Sequence, residues 1–230
     1  AADKLESQKV ERIIGCYIAQ KPSEKNVIIM GLKFQKIREE RPFLIDEQIA
    51  TGKLRKKIRD AKYVVLEYYQ GDIKTIKERI SEFFKNSKTP NKIRINKAEV
   101  SNEKTINEIK GFVKSENNKI DFPPAKIRFI TCDLQRRPKD KKRYTDARSE
   151  AYYGLEKHRK EDKIEFSKLG GILDLKKEII HQLSTVSYPR QPDGRNKVDI
   201  AEDLSYEFVD ALVFFIWNWG MHFTFLKTFR

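Results

Sequence analysis

Residues 10–34 read "VERIIGCYIAQKPSEKNVIIMGLKF", two β-branched runs held apart by a polar stretch containing a proline. Isoleucine and valine at this density favour extended backbone, and "QKPSEK" supplies the break, so the segment predicts a β-hairpin over 10–19 and 26–34. Working outward, residues 35–61 are charged, and "RPFLIDEQIATGKLRKKIRDA" (41–61) is expected to be a helix leading into the strand "KYVVLEYY" (62–69). Asp72 then stands as an N-cap before "IKTIKERISEFF", where Ile73, Ile76, Ile80 and Phe83 share one helical face. "NKIRIN" (91–96) predicts a strand, "EKTINEIKGFVK" (103–114) a helix with Ile106, Ile109 and Val113 on one side, and "AKIRFITCD" (125–133) another strand. Helices are expected over 148–161, 173–186 and 201–219, with a hairpin-like turn at Asp193-Gly194 between the last two. Hairpin, strand, helix, strand, helix, strand, then helices is the order of an α/β layered fold with a mixed sheet. The expected organisation is a single domain over 1–230, with an aromatic C-terminal extension at about 214–230 that packs inward.

The totals bound the function. A chain of 230 residues can bury one substantial core, and its 39% hydrophobic content is enough to fold. A formal charge of +14 favours polyanions or anionic surfaces as partners. No run reaches the ~18–20 apolar residues of a membrane span. The nearest, "LVFFIWNWGMHFTFL" (212–226), is broken by Asn218 and His222, and the polar amino end has no signal-peptide pattern. Cys16 and Cys132 read as buried, reduced thiols. No phosphate-binding G-x-x-x-x-G-K-[ST] loop is present, and the three histidines lack zinc spacing.

Two features carry chemistry. On a helix, Asp203, Glu207 and Asp210 fall at i, i+4 and i+7 on one face, in an otherwise apolar segment. Like charges at this spacing cost about 0.2–0.5 kcal/mol per pair. A divalent cation with hard oxygen ligands would offset that repulsion, although the wet face of an amphipathic helix shows the same spacing. The second feature is "LQRRPKDKKRYTDARSEAYYGLEKHRK" (134–160), with ten Lys or Arg against four Asp or Glu. Arg136, Arg137, Lys139, Lys142, Arg143 and Arg148 are placed to neutralise successive phosphates without reading sequence. A solvated, lysine-rich loop is the plainer reading of the same run.

In order along the chain, "YTDARSEAYYGLEKH" (144–158), "ILDLKKEIIHQLSTVSY" (172–188), "DGR" (193–195) and "SYEFVDAL" (205–212) resemble the nuclease domain of the large terminase subunit of tailed viruses. The specific motifs lie in roughly the last 90 residues, and the amino half matches by order of elements. The resemblance implies an RNase H-like mixed β-sheet flanked by helices. It also implies a metal-dependent endonuclease that cuts concatemeric double-stranded DNA with two Mg or Mn ions. It implies further an ATPase motor domain, a portal and a small terminase subunit as partners, no membrane, and the host cytoplasm as location. Asp210 matches the final acid of the family's metal set, with Glu207 one turn before it.

The first two acids of that set should end the first strand and the strand "KIRIN", and here Tyr17 and Asn96 stand at those positions. A phenol with an ordinary pKa near 10 does not replace a carboxylate as a magnesium ligand. The expected catalytic residues are therefore Asp210, Glu207 and Glu99, and the expected metal ligands Asp210, Glu207, Glu99 and Asp133. The other reading is a catalytically degenerate RNase H-like module that binds DNA or docks to the motor. A transposase or junction resolvase would share the fold but not the motif order.

Overall fold

A computed structural model describes residues 6–40, 56–167, 172–201 and 204–216. The opening hairpin is present. Strand β1 (Glu6–Tyr17) runs antiparallel to β2 (Val27–Glu40), with Ile14 opposite Met30. Strand β3 (Lys56–Gln70) continues antiparallel on β2, with a register shift between Met30 and Gly31. This corrects the expected helix over 41–61. Residues 56–61 belong to β3, where Lys56 pairs with Glu40 and Ala61 with Gln35. A ready ladder of backbone partners on β2 outweighs the helical preference of Lys and Arg. The remainder of that expectation, residues 41–55, lies outside the described residues.

Helix α1 (Ile73–Phe84) follows, capped by Asp72, whose Oδ1 accepts the Thr75 N–H at 2.9 Å. Strand β4 (Asn91–Asn96) returns parallel to β1, helix α2 (Glu103–Asn118) crosses over, and β5 (Ile127–Cys132) adds parallel to β4. Helix α3 (Ala147–Lys160) and the three-residue β6 (Ile164–Phe166), parallel to β3, come next. Helices α4 (Ile172–Ser184) and α5 (Glu207–Ile216) complete the order. The sheet reads β5-β4-β1-β2-β3-β6. Three antiparallel strands with two parallel strands added beside β1, and helices on both faces, make an α/β fold of the RNase H-like kind. Among the described residues no helix is long and apolar enough to cross a membrane.

Alternation along β1 builds two cores. Ile14, Cys16 and Ile18 face Ile76, Ile80, Ile106 and Ile109 of α1 and α2. Ile13 and Tyr17 face α3, α4 and α5 on the other side. Between them Gly15 leaves room for α5 to rest on bare backbone. A Cβ there would collide with the Ala211 carbonyl oxygen and stand 2.5 Å from the Phe215 nitrogen. At the far end of α5, the fully buried Arg94 of β4 donates to the Phe215 carbonyl at 2.7 Å and the Phe214 carbonyl at 3.2 Å. A cation at a helix carboxyl end satisfies exposed carbonyls and meets the negative end of the dipole.

Helix α5 is shorter than the expected 201–219. Ala201 and Leu204–Tyr206 are not helical, so the helix opens at Glu207. Asp203 and residues 217–230, which hold most of the aromatic extension, lie outside the described residues. Phe214, Phe215 and Ile216 are buried as expected of an inward-packing segment. Cys16 and Cys132 are free, buried thiols.

Candidate nucleic-acid interface at the strand ends

All ten residues of α5 are buried, Glu207 and Asp210 included. Helix α5 can begin there because Gln182 of α4 caps it. The Gln182 Oε1 accepts the N–H groups of Phe208 (3.2 Å) and Val209 (3.1 Å), two of the amides a helix leaves open at its start. Its Nε2 donates to the Glu207 carboxylate at 3.3 Å. Burial raises the pKa of Glu207, and Glu24 pushes the same way. Glu207 is thus part of a helix–helix joint.

Asp210 lies one turn on, at the carboxyl ends of β1 and β4. Its Oδ1 accepts the Tyr152 hydroxyl at 2.7 Å, and its Oδ2 is 3.7 Å from the Arg148 guanidinium, both from α3. Burial raises the Asp210 pKa, while Arg148 and then the Tyr152 hydroxyl pull against that rise. Tyr17 shares the cleft. Its hydroxyl donates to Glu24 Oε2 at 2.7 Å, and the same oxygen accepts the amides of Gln20 (2.8 Å) and Lys21 (3.1 Å). Burial, the Glu24 bond and the Asp210 and Glu207 charges together raise the phenol's pKa far above its ordinary value.

Asn96 is used on both sides of its amide. Its Oδ1 accepts the Ile18 N–H at 2.8 Å and its Nδ2 donates to the Ile18 carbonyl at 2.9 Å. Asn102 adds a second donor to that carbonyl at 3.0 Å. The amide extends the β1–β4 pairing by one step beyond the strand, a task that needs a donor and an acceptor together. An ionised carboxylate is acceptor-only.

Of the four expected metal ligands, Asp210, Glu99 and Asp133 line one recess of about 40 Å³ at the strand ends. Glu207 does not join them. Glu99 sits exposed in the turn before α2, its N–H held by Asn102 Oδ1. Asp133 pairs with Lys97 at 3.3 Å and accepts the Gln135 amide at 2.9 Å. Among the described residues no group of three His, Cys, Asp or Glu side chains is placed to hold one metal ion together. Tyr17 and Asn96 are committed to other bonds, so neither adds a ligand to that recess.

The basic run divides in two. Residues 136–143 form a loop closed at its base, where the Ala147 amide donates to the Arg136 carbonyl (3.0 Å) and the Arg148 amide to the Leu134 carbonyl (2.9 Å). Buried Glu150 shapes it by accepting the backbone amides of Lys139 (2.7 Å) and Asp140 (3.2 Å). Arg137, Lys139, Lys142 and Arg143 are exposed on this loop and Arg136 is half-buried. Arg143 lies over the Tyr144 ring. Arg148 stands apart from them, on the first turn of α3, facing a cleft of about 400 Å³ also lined by Tyr17, Glu24 and Asp210. Gln182 and Tyr152 stand within the quoted motifs without an assigned role, and no spacing in the sequence ties either to α5.

The fold and this site define an RNase H-like domain with a basic loop beside its strand-end cleft. No family model, curated protein or solved structure matches the chain.

Proposed function

We propose that this chain is a terminase-type RNase H-like module that grips double-stranded DNA within a packaging machine and does not cut it. One observation carries the reading: at the two strand ends where the family's metal-binding acids belong stand Tyr17 and Asn96, each spent on fixed hydrogen bonds. The +14 charge and the exposed Arg137, Lys139, Lys142 and Arg143 on a shaped loop supply the DNA-facing surface. The ATPase motor, portal and small terminase subunit, and a place in the host cytoplasm, belong to the same proposal through the resemblance of the last 90 or so residues.

A second reading, the Mg- or Mn-dependent endonuclease, is favoured by one feature: Asp210, Glu99 and Asp133 line a common recess. Plasmid incubated with the protein and Mg²⁺ or Mn²⁺ separates the two. The module reading expects salt-sensitive binding of duplex of any sequence and no nicking. Nicking by wild type that disappears in Asp210→Ala would establish the nuclease instead.

A further inference from the structure

We propose that Arg148 is a phosphate clamp: its guanidinium holds one backbone phosphate of duplex DNA in the strand-end cleft, next to the basic loop. The inference rests on the DNA-binding reading and names the residue that anchors it.

The argument is one of spent and unspent hydrogen-bonding capacity. The acids around the cleft are engaged locally. Glu24 takes the Tyr17 hydroxyl and two amides, Asp210 takes the Tyr152 hydroxyl, and Asp199 holds Lys197 at 2.6 Å. Arg148 differs. Among the described residues its one ion pair, to Asp210 at 3.7 Å, is too long for a hydrogen bond, and its buried Nε has no partner. A guanidinium carries five N–H donors in a flat fork that matches two phosphate oxygens. Its side chain is 29% exposed, enough to be reached from the cleft mouth.

Position supports the same partner. The Arg148 amide is bonded to Leu134, at the root of the loop that carries Arg137 and Arg143, and Gln135 lines the cleft beside it. A strand of DNA that runs from the loop into the cleft meets the Arg148 fork. Asp210 is a positioning residue here. Its charge draws the guanidinium toward the cleft without taking up its donors.

The test is fluorescence-anisotropy binding of a short duplex by the full chain across a series of KCl concentrations. Wild type is compared with Arg148→Ala, Arg148→Lys and Arg128→Ala, the last an exposed residue of β5. Arg148→Ala is expected to bind about 10-fold more weakly, with a salt slope shallower by about 0.9, the loss of one phosphate contact. Arg148→Lys should keep the slope and lose affinity, because charge stays and the fork goes. Arg128→Ala should match wild type. Modification of wild type by phenylglyoxal gives a readout free of folding effects, and bound duplex should shield Arg148.

Equal affinity and slope in wild type and Arg148→Ala overturns the clamp and leaves DNA binding standing. Unshielded Arg148 in the bound state does the same. Wild type that fails to bind duplex even at low salt overturns the DNA-binding reading, and the clamp with it.

Discussion

Against one face of the sheet, α1 and α2 lay down Ile76, Ile80, Ile106 and Ile109, and among the described residues neither helix buries a charged side chain with them. Against the other, α5 brings Glu207 and Asp210 to burial, and β4 sends Arg94 beneath its far end. The first face is held mainly by apolar area, with polar ties at its margin such as Arg12 to the Phe83 carbonyl at 2.6 Å, and tolerates shape changes gradually. The second is held by a close helix–backbone approach and by polar groups that each need a named partner. The lesson is that these charges are retained at positions where each has a local hydrogen-bonding task, so burial of acids on α5 is not by itself a sign of chemistry.

The sharpest way to break this comparison is Gly15→Ala. One methyl group meets the α5 backbone at both Ala211 and Phe215, so a loss of more than about 3 kcal/mol is expected in urea unfolding. A near-neutral result would mean that α5 does not rest on β1 as described. Arg94→Ala should follow, at about 3 kcal/mol, because it strands two helix-end carbonyls and leaves a void. Arg94→Met, which fills the space, should lose less. On the apolar face Ile80→Ala is expected to cost about 2–5 kcal/mol by cavity formation, with no dependence on pH.

Two aspartates, one on each face, give opposite responses to acid. Burial raises the Asp210 pKa, so the folded state binds its proton more tightly than the unfolded chain does. Stability from this group is complete below the ordinary aspartate range and is lost as pH rises through the raised value. Asp210→Asn should therefore be more stable than wild type at neutral pH, with the gap closing in acid, as thermal melts at several pH values will report. Asp72 runs the other way. The Thr75 amide and hydroxyl hold its pKa below the usual range, so its contribution is present at neutral pH and vanishes as pH falls through that lowered value. Asp72→Ala should give the smallest loss of the set, and the loss should disappear in acid.

Much of this architecture was legible in the residues. The Ile periodicity of α1 and α2, the Asp72 cap and the hairpin around "QKPSEK" are local signals, and they fold as they read. What failed depends on partners distant in the chain. Residues 56–61 look helical in isolation and become strand because β2 is there to pair with them. β6, three residues long, has too little pattern to announce itself. In the site, Asp210, Glu99 and Asp133 line one recess at the strand ends, whereas Glu207 turns to Gln182. That divergence comes from α4, 25 residues earlier in the chain, which no spacing within α5 encodes. Arg148 was visible as one more cation; its separation from the loop required the helix start at Ala147.

Cys16 and Cys132 lie sealed in the two cores, and burial lifts both thiols far from the ionised form that reacts. Cysteines introduced on the surface, at Arg137 for example, should therefore be the ones a maleimide reaches in the folded protein. Fluorophore pairs can then report how the loop moves against the sheet with the native sequence otherwise intact.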